Sequence, residues 1–261
     1  MLTQSQKRDF VEQGYLKVSG VVPQVMVEAA RRKVYHSIGH VGMGGENLEK
    51  SRSGYFCAEL MSDPTIMDMY NKTPVMEIVQ DLMGVGNVEP VGRAKTYPRF
   101  PLALGEEPDA PRGHIDGIGN GTNGQPKGQY SRGFSAFGVI YLQDVDEPDS
   151  GNFTVWPKTH TFFEDWFKQQ GGHEILKEGM PHPELPEPPI QVTGKAGDFI
   201  IAHHAVVHTG GQNASPNVRL ATIARLRHVD VEKNGADAYL DIWREWAGVH
   251  DVLETSEDLA A

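Results

Sequence analysis

"GDFIIAHHAVVHTGGQN", residues 197–213, carries three histidines, His203, His204 and His208, within six positions. Neutral imidazole is the commonest protein ligand for a metal. His204 and His208 have the four-residue spacing of the zinc-protease helix, but Ala205 stands where that motif needs its glutamate base. The flanking "GDFIIA" is strand-like instead. On a continuous strand, positions 200, 202, 204, 206 and 208 share one face and His203 lies on the other, unless a bulge intervenes. Taken singly, each histidine is more often structural than ligating.

The same strand texture begins near residue 87. "VEPVGRAKTYPRF", "GFSAFGVIYLQDV", "GNFTVWP", "PIQVTGKAGDFIIAHH" and "VRLATIARLRHVDV" are short, rich in β-branched and aromatic residues, and separated by Gly, Pro, Asp or Asn. They predict an antiparallel sandwich or barrel. "EGMPHPELPEPPI" holds five prolines and reads as a surface excursion between strands. Residues 117–133, with six glycines, are too long for a tight turn and suit a lid or binding loop.

The first third reads as helical. Thr3 or Ser5 can cap a helix ending near Gly14. "PQVMVEAARRKVYHSIGH" opens on Pro23, and "TPVMEIVQDLMG" has Pro74 near its start and Gly84 past its end. Between them "GMGGENLEKSRSGYF" reads as a loop. The expected organisation is one domain over 1–261: a mainly helical part (1–86), a β core (87–232) and a C-terminal helical segment (233–261).

Composition narrows the function. A formal charge of −11 and a pI near 5.4 argue against nucleic-acid or anionic-membrane partners, both of which want a basic face. The lone Cys57 excludes an intramolecular disulfide and reads as a buried apolar thiol. With no apolar run of membrane-spanning length and no secretory signal in "MLTQSQKRDFVEQGYL", the expected location is cytoplasmic.

A second segment changes the weight of the histidines. "RGHIDG" puts His114 and Asp116 two apart, so on an extended strand both project to one face. With one distant histidine they make a 2-His-1-carboxylate facial triad, which leaves open positions on Fe(II). The plainer alternative is a surface ion pair at a turn. Arg219 follows His208 by eleven residues, across "TGGQNASPN". A hairpin of that length returns the next strand beside the histidine, where a guanidinium fork can take a cosubstrate carboxylate. Otherwise Arg219 is a surface arginine on an edge strand.

In order and spacing, "HID" (114–116), "SGNFTVWPKTH" (150–160), "GDFIIAHHAVVHTGGQN" (197–213) and "NVR" (217–219) resemble the phytanoyl-CoA dioxygenase family of Fe(II)/2-oxoglutarate oxygenases. The opening "LTQSQKRDFVEQGYLKVSGVV" is similar to that family's first segment. The resemblance implies a mainly β fold with flanking helices, a double-stranded β-helix (jelly roll, cupin-like). It implies His114, Asp116 and His208 as iron ligands and Arg219 as the partner of the far carboxylate of 2-oxoglutarate. His203 and His204 have no role in the pattern.

The chemistry implied consumes Fe(II)-bound 2-oxoglutarate and O2, with ascorbate as reductant in vitro. It oxidises an unactivated C–H of a small molecule and releases succinate and CO2. Related halogenases lack the carboxylate, so Asp116 favours hydroxylation, or a desaturation or cyclisation. Two departures stand out: Gly210 occupies a position where many members have a hydroxyl residue, and Lys158 one where the pattern has glycine. Arg99, Arg112, Lys127 and Arg132 flank the expected mouth and are candidates for an anionic substrate. The rival readings are a cupin-like metal enzyme without 2-oxoglutarate and a non-catalytic jelly-roll binding protein.

Overall fold

A computed structural model describes residues 1–41, 57–118, 130–179 and 182–258. The loop 42–56, most of the 117–133 loop and Lys127 lie outside the described residues. Helix α1 (Gln4–Gln13) starts on a capping box between Thr3 and Gln6 and stops at Gly14, whose φ of 77° is left-handed. A Cβ at Gly14 would also come within 2.5 Å of His160 and of Val206, so this turn tolerates only glycine.

The chain then enters β1 (Tyr15–Val18), a strand the helical reading of the first third did not include. Helices α2 (Gln24–Val41), α3 (Pro64–Asn71) and α4 (Val75–Met83) follow. Between α2 and α3, Cys57 is a buried thiol beside the Val34 carbonyl, and burial raises its pKa.

The remaining strands are β2 (Ala94–Thr96), β3 (Ala136–Tyr141), β4 (Phe153–Val155), β5 (Ile190–Val192), β6 (Phe199–His203), β7 (His208–Gly210) and β8 (Ala221–Leu226). They form two sheets, ordered β1-β6-β3-β8-β2 and β5-β4-β7, with every pairing antiparallel. The fold is the expected jelly roll with flanking helices.

Alternation along β3 and β6 shows how the layers form. Ala136, Ile140, Phe199 and Ile201 face the helical layer, packing with Phe10, Val27, Tyr70 and Trp246. Phe137, Val139, Tyr141, Ile200 and Ala202 face inward, against Phe153, Val155 and Val192 of the smaller sheet. Both faces of β3 are thus buried, which is why "AFGVIYL" reads as an unbroken apolar run.

Helix α5 (Thr159–Gln169) covers one end of the barrel with Phe163 and Phe167 against Trp156, Ile115 and Tyr239. Short helix α6 (Val231–Asn234) and α7 (His250–Asp258) complete the C-terminal segment. Among the described residues, no helix is long and apolar enough to cross a membrane.

Candidate active site

Residues 197–213 are a strand, a corner and a second strand. β6 ends at His203, residues 204–207 turn, and β7 begins at His208 in the other sheet. The single alternating strand expected there therefore does not exist. The corner sends the three histidines to different places.

His203 donates from Nε2 to the Ile242 carbonyl at 2.9 Å, and its Nδ1 accepts from the Ala205 amide at 3.1 Å. His204 packs between His203 and Tyr239, with ring centroids 4.3 and 5.3 Å away. Burial holds both histidines neutral, with pKa values well below the ordinary one. They brace the C-terminal segment.

His208 turns into the barrel. Its backbone pairs with that of His114 through reciprocal 3.0 Å hydrogen bonds, which adds residue 114 to the edge of the smaller sheet. Its Nδ1 donates to the Val206 carbonyl at 3.0 Å, fixing the tautomer that leaves Nε2 as an acceptor. The ring lies against Phe137, centroids 4.2 Å apart. Burial, reinforced by His114 and opposed by Asp116, lowers its pKa to about 4, so it is neutral at pH 7.

Asp116 converges on the same point. Its Oδ1 accepts from His114 Nε2 at 3.0 Å and its Oδ2 from Arg225 Nη2 at 2.6 Å. Burial alone would raise its pKa. The hydrogen bond from His114, with the neighbouring His208 imidazole and the charge of Arg225, outweighs it and keeps the carboxyl well below the usual range. Its backbone is fixed as well, since Tyr239 Oη donates to its carbonyl at 3.1 Å. Gly113 and Gly117 make room around it: a Cβ at Gly113 would meet Val207 at 2.4 Å, and one at Gly117 the Ser131 carbonyl at 2.1 Å.

One ligand atom from each of His114, Asp116 and His208 lies within 4.8 Å of the others. Two imidazoles and an ionised carboxylate are a donor set that fits a divalent transition metal.

The three line a cavity of about 950 Å³ between the sheets, together with Arg99 and Arg219. Arg219 does not return on a hairpin beside His208. β7 pairs with β4, whereas the backbone of Arg219 bridges to Arg99 beside the larger sheet, so Arg219 and His208 line the cavity from different sheets. Its Nε donates to the Gly151 carbonyl at 2.6 Å and its Nη1 to the Tyr97 carbonyl at 3.0 Å. These bonds orient the guanidinium. Burial, with Arg99 nearby and Tyr141 opposing, brings its pKa to about 9, still charged at neutral pH.

Gly210 is explained by Arg99. A Cβ there would lie 2.2 Å from Arg99 Nη2 and 2.9 Å from Cζ, so the guanidinium fills the space a side chain would take. The glycine was the only sequence signal for this contact.

Of the other mouth candidates, Arg112 is exposed and Arg132 is misplaced. Arg132 is buried in an ion pair with Glu245, which Ser135 and Asn234 also hydrogen-bond. Lys158 does take up the glycine conformation of its turn, at φ 63°.

No protein-family model and no curated protein sequence matches the chain. Solved structures do. The non-heme alpha-ketoglutarate-dependent epimerase SnoN from nogalamycin biosynthesis superposes with a TM-score of 0.56 at 18% identity, over 85% of this chain and 81% of its own. HygX from Streptomyces hygroscopicus, with nickel and 2-oxoglutarate bound, gives 0.55 at 16% identity over 88% of each chain. The non-heme monooxygenase ThoJ gives 0.56 at 16%, over 85% of this chain and 77% of its own. At these identities the likeness is one of fold.

Proposed function

We propose that the protein is an Fe(II)- and 2-oxoglutarate-dependent dioxygenase that hydroxylates an unactivated C–H of a small molecule. The observation that carries this reading is the convergence of His114, Asp116 and His208 in a cavity that Arg219 also lines. The bound metals and cosubstrate of structures sharing the fold support it: HygX holds nickel and 2-oxoglutarate, and SnoN holds Fe3+ and alpha-ketoglutarate.

When bound, the iron and cosubstrate supply the oxidising chemistry, with succinate and CO2 as co-products. The chain's residues do the rest. His208 and His114 offer imidazole nitrogens and Asp116 a carboxylate oxygen, the His208 ring being oriented through the Val206 carbonyl. Arg225 holds the other Asp116 oxygen, which biases the carboxylate toward giving one oxygen to the metal. Arg219 and Arg99 present two guanidinium groups to the far carboxylate of 2-oxoglutarate, relieving the repulsion between them. Phe137 and Phe153, close to the His208 ring, keep that side dry.

The test is turnover of 2-oxoglutarate under air with Fe(II) and ascorbate, read as succinate. It is paired with the absorption band of the anaerobic Fe(II)–2-oxoglutarate complex. Succinate and the band are expected together. A bound metal with neither would leave Arg219 structural and return the molecule to the cupin-like alternative.

A further inference from the structure

The turn that carries Asp116 is held from the far end of the chain. His114 bridges to His208 and Ile118 to Tyr130, so Asp116 and Gly117 form a turn between two bridges. A ligand on a turn lacks the ladder of hydrogen bonds that holds a strand residue, and its main chain must be fixed by other groups. On one side the Ser131 amide donates to the Gly117 carbonyl at 2.8 Å. On the other, Tyr239 Oη donates to the Asp116 carbonyl at 3.1 Å. Gly117, at φ 88°, admits that hydroxyl: a Cβ there would lie 3.2 Å from Tyr239 Oη.

The tyrosine is itself held firmly. It closes the 3-10 turn Gly235–Tyr239 and is 1% exposed. Its ring meets Phe167 of α5 edge-on, centroids 6.1 Å apart, and His204 of the 204–207 corner at 5.3 Å. Three residues on, the Ile242 carbonyl accepts from His203 and the Ile242 amide donates to Glu164 at 3.2 Å. Packing therefore aims the hydroxyl, and burial raises its pKa, so it stays a donor at neutral pH. Two other tyrosines are buried as deeply. Tyr70 Oη meets Thr222 Oγ1 at 2.8 Å within the larger sheet, and Tyr141 Oη donates to the Val192 carbonyl at 2.8 Å. Of the three, Tyr239 is the one whose hydroxyl reaches a residue of the triad.

Resting on the metal reading above, we propose that Tyr239 is a positioning residue of the metal centre. Through the Asp116 main chain it sets where the carboxylate is presented, while Arg225 steadies the carboxylate itself. Metal affinity then depends on a side chain 123 positions beyond the ligand it serves. Partners that orient metal ligands typically carry about 10- to 100-fold in metal affinity.

The experiment compares two full-length variants, Tyr239→Phe and Tyr70→Phe. Each deletes one hydroxyl from a fully buried tyrosine and keeps the ring, so both should fold. Metal-free protein is titrated with Co(II) by calorimetry and by visible spectroscopy, and urea midpoints measure stability. Both variants should lose stability to a similar degree. Tyr239→Phe alone should bind Co(II) roughly tenfold more weakly and shift the Co(II) ligand-field bands, which a loss of stability by itself does not move. In metal-free protein the Ser131 amide should exchange with solvent at least tenfold faster in Tyr239→Phe than in Tyr70→Phe.

Wild-type Co(II) affinity and bands in Tyr239→Phe, or an equal loss of affinity in Tyr70→Phe, would overturn the proposal. A wild-type protein that binds no Co(II) would sink the triad reading instead. Exchange at Ser131 then judges the anchor by itself, and equal exchange in the two variants overturns it too.

Discussion

Arg225 and Asp116 meet at 2.6 Å, and they do so from opposite conditions: the arginine is half exposed, whereas the carboxylate keeps only 11% of its side-chain surface. The pair is open to solvent only at its arginine end, where screening weakens it. Its value to the site is orientation, because the second Asp116 oxygen is tied to His114. Asp116→Ala is expected to stay folded by circular dichroism, lose most iron binding and produce no succinate. Arg225→Gln should bind iron with affinity reduced roughly 10- to 100-fold, and Arg225→Lys should recover part of that loss. Wild-type iron affinity in both Asp116→Ala and Arg225→Gln would remove the carboxylate from the site.

The corner at 204–207 predicts opposite phenotypes for two neighbouring histidines. His208→Ala should fold and fail to retain metal, since a ring nitrogen of His208 is one of three converging donor atoms. His204→Ala should retain metal and lose roughly 1–3 kcal/mol of stability, the usual cost of a buried truncation. Metal content and urea midpoints of the two purified variants separate the roles. Near-normal iron in His208→Ala would sink the assignment.

Arg99 can be displaced without touching it. Gly210→Ala puts a methyl group 2.2 Å from Nη2 and 2.9 Å from Cζ of the Arg99 guanidinium, which must shift, so the fold should lose roughly 1–3 kcal/mol. Affinity for 2-oxoglutarate should fall several-fold while iron binding is unchanged. Arg219→Ala should cost more, at least tenfold, because removing a buried charged partner is worth roughly 2–5 kcal/mol. Titration of the metal-to-cosubstrate band in each variant gives the order; a band unaffected in Arg219→Ala would contradict the carboxylate role.

Acid should destabilise the molecule through its buried histidines. Burial lowers the His160 pKa to about 4 from an ordinary 6.5, against the help of its hydrogen bond to the Val11 carbonyl. Between those values the unfolded chain binds a proton that the folded chain refuses. Stability therefore falls as pH drops from 6.5 toward 4, by up to roughly 1.4 kcal/mol per pH unit for each such histidine. His203 and His204 shift in the same direction and steepen the slope. Urea unfolding of metal-free protein across this window measures it, and His160→Gln should flatten the slope by about one proton. An identical slope in that variant would assign the acid sensitivity elsewhere.

How far the sequence discloses this molecule depends on range. The strands with both faces buried, such as β3, announce themselves by composition, whereas His114 and Asp116 are two apart in sequence but Asp116 lies in a turn and not on the extended strand expected. Lys158 at a left-handed turn and Gly210 beneath Arg99 also left marks, though the glycine shows only that something is missing. What stayed hidden is long-range. Arg132 looks like a loop cation until Glu245, 113 residues away, takes it into the interior. Arg225 meets Asp116 across 109 residues, and no local pattern encodes that. The 204–207 corner defeats strand periodicity because the chain changes sheets within four residues.

Tyr239 and Glu245 give the C-terminal segment a part in the timing of assembly. The Tyr239 hydroxyl fastens the Asp116 backbone from 123 positions downstream, and Glu245 seats Arg132 beside Ser135, the residue before β3. A nascent chain that has just emerged past His208 owns every metal donor but neither brace. The proposed donors are therefore complete some thirty residues before the contacts that fix Asp116 and Arg132 enter the chain. Truncation after His208 would thus keep every proposed donor and lose both of the contacts that fix the Asp116 backbone and Arg132.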